Sequence, residues 1–170
     1  MKNLPACLTC VHSGLLCSNC QERLENGTLT EFELDLSKDL IELEETDEKF
    51  SFLKNISFYK AIDYEDVVIL VVGTKDKLKI NEVLLNWIKE KYDVEKIIVI
   101  EKTNKPRPVV EALIFPNKVV SLNEIFLATG EIEFKAVINE SDKEKILFTK
   151  EELEGLIFEL SGIITRIEFI

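Results

Sequence analysis

The chain has 170 residues, 46% of them hydrophobic, and a formal net charge of −11. That apolar fraction suffices for a packed core in one large or two small domains and argues against a disordered chain. The negative balance argues against broad nucleic-acid affinity, which is carried by cationic neutralisation of phosphates.

In chain order, Met1 to Pro5 contains no apolar segment before a cleavage site, and the longest aliphatic run, Val67 to Val72, is far too short to span a bilayer. A cytoplasmic protein without a membrane partner is expected. The next stretch, CLTCVHSGLLCSNC, holds every cysteine of the chain: Cys7, Cys10, Cys17 and Cys20 form two Cys-x-x-Cys pairs six residues apart. In a reducing compartment such pairs are more often metal-bound than disulfide-linked. Each Cys-x-x-Cys turn presents two sulfurs to one side of an ion, so two turns complete a tetrahedron, and Zn2+ is the expected cofactor. With four thiolates no coordination position is left for water, which makes the site structural. The short spacer implies a compact knuckle over residues 1–27. Two disulfides or an iron–sulfur cluster would use the same four residues. His12, the only histidine, lies between the pairs and reads as a polar loop residue, with a substitute ligand as the alternative.

Acid follows the knuckle. Residues 25–72 carry 13 Asp and Glu against 4 Lys, whereas residues 73–107 carry 9 Lys and Arg against 6 acids. The lysine-rich middle is the one stretch that would welcome an anion. Thr30 and Glu33 form a capping box, and Phe32, Leu36, Leu40 and Leu43 share a stripe, predicting a helix over residues 30–46. Ile56 to Tyr64 alternates as a strand, and Val67 to Val72 reads as a strand buried on both faces. Ile80, Val83, Leu84, Trp87 and Ile88 repeat at helical offsets up to Tyr92, and Lys96 to Glu101 is the next strand. The expected order is α-β-β-α-β over residues 28–105.

Pro106 and Pro108 remove two backbone donors within three residues, so a domain boundary is placed there, with a second domain over 106–170. A short helix is expected from Val109 to Ile114. Lys118 to Ala128 and Glu131 to Ile138 read as a hairpin turning at Thr129-Gly130, with Ile132, Phe134, Ala136 and Ile138 on one face. A short strand at Lys145 to Phe148 is possible by pattern. Thr149 and Glu152 cap a last helix carrying Leu153, Leu156, Ile157 and Leu160 inward. Gly162 stops it before a strand from Ile163 to Phe169. The fold class is α+β, with a β-β-α-β second half and no internal sequence repeat.

The cysteine pairs, the segment Gln21-Glu22-Arg23-Leu24-Glu25-Asn26-Gly27, the strand ending Val71-Val72-Gly73, Ile100-Glu101-Lys102-Thr103 and Ser121 to Leu127 with Thr129-Gly130 together resemble a family. It is that of small archaeal proteins with an N-terminal zinc knob and a K-homology-like domain, often labelled NusA-like or transcription elongation factor-like. The resemblance implies RNA contact linked to transcription or translation, without enzymatic chemistry. K-homology domains grip RNA with a Gly-x-x-Gly loop, where glycines let backbone amides approach phosphates. This chain departs from that pattern: Thr74-Lys75-Asp76-Lys77-Leu78-Lys79 stands there instead. The expected RNA contacts are therefore Lys75, Lys77 and Lys79, with Lys102, Lys105 and Arg107. A protein-docking adaptor, meeting a ribosomal protein or polymerase subunit through the knob and the acidic helix, is the alternative. An enzyme is not expected: there is no Gly-rich phosphate loop, no Gly-x-Ser-x-Gly elbow and no histidine outside the knuckle.

Overall fold

A computed structural model describes residues 1–170. The chain divides into two compact units, Met1–Lys102 and Thr103–Ile170, three residues before the boundary placed at the two prolines. The fold is mixed α+β, with two three-stranded sheets.

The first unit opens with two short helices, α1 (Leu8–Ser13) and α2 (Ser18–Glu25), and continues into α3 (Glu31–Thr46). The capping box expected at Thr30 and Glu33 is formed. A 3-10 turn over Glu48–Asn55 then leads into β1 (Phe58–Tyr64), β2 (Val67–Val72), a 3-10 turn at Lys77–Lys79, α4 (Glu82–Tyr92) and β3 (Lys96–Glu101). β1 runs antiparallel and β3 parallel to the central β2. The parallel pair requires a crossover, which α4 supplies. α4 begins two residues later than its apolar pattern suggests, because the Asn81 side chain accepts from the Leu84 amide and fixes the cap there. All six residues of β2 are buried, as the unbroken aliphatic run predicted. The helix-facing side of the sheet supplies Ala61, Val68 and Leu70 to a core shared with Leu36 and Leu40 of α3, Leu84 and Ile88 of α4, and Phe50 and Leu53 of the 3-10 turn.

The second unit comprises α5 (Pro106–Ile114), β4 (Val119–Phe126), β5 (Ile132–Ile138), α6 (Lys150–Ser161) and β6 (Thr165–Phe169). α5 starts at Pro106 and not at Val109: a proline in the first helical turn lacks only an amide that would be unpaired anyway. The expected hairpin is present, with Gly130 in the left-handed region at φ 87°. Its inward face is shorter than the alternation suggested, since Ala136 and Ile138 are fully buried while Ile132 is exposed. No strand forms at Lys145–Phe148. The charged run before it closes a 3-10 turn at Glu140–Lys145 with Glu140–Lys143 and Asp142–Lys145 ion pairs, and the chain passes directly to the Thr149 capping box of α6.

The second sheet repeats the topology of the first. β4 is antiparallel and β6 parallel to the central β5, with α6 as the crossover and α5 leading. In each sheet, one edge strand donates a backbone amide to a helix carboxylate: Ala61 to Glu33 Oε1 at 3.0 Å, and Ile167 to Glu154 Oε1 at 2.8 Å.

Candidate metal centre

The two Cys-x-x-Cys segments adopt the same local structure. Cys7 and Cys17 are the N-caps of α1 and α2, with extended backbones, and Cys10 and Cys20 occupy the third position of each helix. Each pair thus straddles a helix N-terminus, where amide dipoles favour a thiolate. Gly14 ends α1 at φ 70° and lets the chain reverse towards the second pair. The halves are joined by the Cys17 amide, which donates to Cys10 Sγ at 3.1 Å. The Arg23 guanidinium donates to the Pro5 carbonyl at 2.7 Å and ties α2 to the segment before α1.

All four Sγ atoms lie within 4.8 Å of one another, Cys10 and Cys20 buried and Cys7 and Cys17 exposed. One ion with metal–sulfur bonds of about 2.3 Å can reach the four together. As free thiols they compete for protons. The hydrogen bond between Cys7 and Cys10 Sγ, 3.0 Å apart, pushes the Cys10 thiol up to about 12. Hydrogen bonds from the Cys20 amide and the neighbouring thiols lower Cys17 to about 7. A dication resolves that competition, and the donor set fits one. His12 stands outside the sulfur group, half-exposed, with Nε2 3.9 Å from Glu45 Oε1.

The expected basic contacts fall in two places. Lys75, Lys77, Lys79 and Lys102 belong to the first unit and Lys105 and Arg107 to the second. The parallel register of β2 and β3 brings the loop that carries Lys75, Lys77 and Lys79 up to Lys102. The loop after β2 and the residue after β3 meet where the Lys102 amide donates to the Val72 carbonyl at 2.7 Å and the Lys75 amide to Glu101 Oε1 at 2.9 Å. They are not equivalent. Lys75 and Lys77 are exposed. Lys79 Nζ is held by Asp76 Oδ1 at 2.6 Å and the Asn55 carbonyl at 3.1 Å. Lys102 Nζ lies 4.1 Å from the centre of the Tyr59 ring. In the second unit, Arg107 pairs with Glu111 on the next turn of α5 at 3.0 Å, and Lys105 is exposed.

Two residues that sequence reasoning missed organise this loop. Asp76 is buried and accepts from the Ser57 amide at 2.9 Å as well as from Lys79. Burial pushes its carboxyl up, but the bonds from Lys79 and Ser57 together hold it below the usual range. That contribution is present at neutral pH and is lost as the pH falls through the lowered value. Gly73 makes room for Asp76: a Cβ there would stand 2.5 Å from Asp76 Oδ2 and 3.1 Å from Ser57 Cβ. Gly73→Ala is therefore expected to destabilise by about 1–3 kcal/mol. In urea unfolding, Asp76→Ala should cost much less in the Gly73→Ala background than alone. Additive losses would show that the carboxylate is not displaced. The only local hint of this arrangement was a glycine three residues before an acid; the partner at Ser57 is long-range.

The chain matches no family model and no curated protein. Among solved structures, the crystal structure of APE1850 is similar over 71% of this chain and 93% of that chain, at 18% identity and a TM-score of 0.48. No helix is long and apolar enough to cross a membrane.

Proposed function

We propose that this is a non-enzymatic, zinc-stabilised protein associated with RNA or a ribonucleoprotein, linked to transcription or translation. Zn2+ is favoured over other ions because four thiolates in a tetrahedral reach suit a soft-accepting ion without redox demands. The observation that carries the RNA reading is the meeting of the loop bearing Lys75 and the exposed Lys77 with the end of β3, where Lys102 lies against the half-buried Tyr59 ring. Cations meet phosphates and an aromatic face stacks a base, the combination by which single-stranded RNA is held without a glycine loop. The helix–hairpin–helix–strand order of each unit supports a K-homology-like reading, in which point charges stand in for the amide grip.

Fluorescence anisotropy of the zinc-loaded protein against single-stranded and structured RNAs across a salt series tests it. Binding should weaken steeply with salt, and Lys75→Glu with Lys77→Glu should lower affinity by about tenfold or more. An affinity left unchanged in a folded, zinc-loaded variant removes this contact site. A second reading, protein docking, is favoured by one observation: Glu31, Asp35, Glu42 and Glu45 line one exposed stripe of α3 beside the knob. It expects no affinity for free RNA.

A further inference from the structure

Between the cysteine knob and α3 lies an open groove of about 340 Å³. Its apolar lining is supplied by Leu16, Leu24 and Leu34, beside Val11 and Cys10. Leu16 and Leu34 are continuous with the small core that packs Cys10 and Cys20 against Ile41. The rim on the α3 side carries Glu31, Asp35 and a single cation, Lys38, all exposed. Glu31 and Asp35 are one helical turn apart and so point the same way. Leu15, which precedes Leu16, is 78% exposed.

We propose that this groove docks a basic segment of a protein partner. One large apolar side chain of that segment packs against the leucines, and Lys or Arg residues flanking it meet Glu31 and Asp35. A groove of this size admits side chains of an extended segment and not a folded surface. The rim sets the sign: carboxylates repel phosphates and acidic peptides and attract cations, while the buried anchor supplies most of the affinity. Cys10 both lines the groove and belongs to the cysteine cluster, so the groove adjoins the candidate metal site. The inference rests on the docking reading of the knob and is independent of the RNA contact at Lys75 and Lys77.

The test uses the full zinc-loaded chain and a fluorescein-labelled acetyl-Gly-Lys-Lys-Leu-Lys-Lys-Gly-amide peptide, with a version carrying Ser in place of Leu. Anisotropy should show the Leu probe binding roughly tenfold or more tightly than the Ser probe. Glu31→Lys with Asp35→Lys should weaken the Leu probe by about tenfold. Glu42→Lys with Glu45→Lys, the same charge change further along the exposed stripe and outside the groove, should weaken it distinctly less than the groove pair does. These four positions are exposed, and an amide NMR spectrum verifies the fold of each variant. Amide shifts on adding the probe should concentrate at Val11 to Leu16 and in the first half of α3. Equal binding of the two probes overturns the proposal. Equal weakening by the two charge reversals removes the groove while keeping docking on the acidic helix. Leu78, 88% exposed between Lys77 and Lys79, offers the same chemistry within this chain. Self-association abolished by Leu78→Ser would give the groove to a second copy and overturn its assignment to a foreign segment.

Discussion

Cys10→Ser is expected to cost the protein its metal and, with it, the packing of the knob. α1 and α2 have six and eight residues, lengths at which an isolated helix does not persist in water. Their shared core is small, with Ala6, Cys10, Val11, Cys20, Leu29 and Ile41 as its buried members. A structural zinc site contributes on the order of 10 kcal/mol to such a fold, more than this core can replace. Native mass spectrometry should find one zinc per chain in the parent and none in the variant. Amide shift dispersion should collapse for residues 6–29 while α4 and the first sheet keep theirs, since those rest on a separate core. Chelation of the parent protein should do the same reversibly. A metal-free protein with a fully ordered knob would contradict the assignment. Protons compete for the same sulfurs, and Cys10 as a free thiol holds its proton up to about 12. Zinc uptake near neutral pH must therefore release protons, and affinity should rise with pH and fall towards acid. Weakly buffered calorimetry reads both.

The second large effect is expected at Glu33, a carboxylate only 2% exposed. Its Oε2 accepts from the Thr30 amide at 2.9 Å and its Oε1 from the Ala61 amide at 3.0 Å, so one side chain closes the cap of α3 and pins the helix to β1. Glu33→Ala leaves a buried amide unpaired on β1 and opens the cap, a loss of about 3 kcal/mol in urea unfolding. Glu33→Gln retains one acceptor oxygen but turns an NH2 group towards the other amide, and should lose roughly half as much. Glu42→Ala, exposed on the same helix, should stay within about 0.5 kcal/mol. A Glu33→Ala loss no larger than that of Glu42→Ala would mean that water replaces both bonds.

What could be read from the chain alone follows the range of the interactions involved. Capping boxes at Thr30–Glu33 and Thr149–Glu152 are local, and both helices start where those residues place them. The four cysteines are legible for the same reason, since each pair needs only one turn of helix. The second reach of Glu33, to Ala61, was not legible: nothing near residue 33 in the chain marks a partner 28 positions away. The lysines show the same limit. Their positions give six cationic side chains, five ammonium groups and one guanidinium, yet only the β2–β3 register joins Lys75 to the neighbourhood of Lys102. Lys79–Asp76 and Arg107–Glu111, by contrast, are three and four residues apart, local pairs of the kind that spacing can show. Pro106 misled because a missing amide breaks a helix interior but suits its first turn. The repeated topology left no trace in the residues because strand order and direction are set by where apolar runs fall, not by which apolar residues fill them.

The central strand β2 carries a consequence for how the chain is made. Its six residues, Val67 to Val72, are aliphatic throughout, and their parallel neighbour β3 begins only at Lys96. As the polypeptide leaves the ribosome, β1 can fold back on β2 at once, but the other flank stays open until α4 and β3 have been synthesised. For that interval the nascent chain displays a sticky, uncharged edge of the kind that recruits chaperones or seeds aggregates. The lysine-bearing loop that follows emerges directly behind it, and its charges are well placed to keep neighbouring nascent chains apart until the sheet is closed.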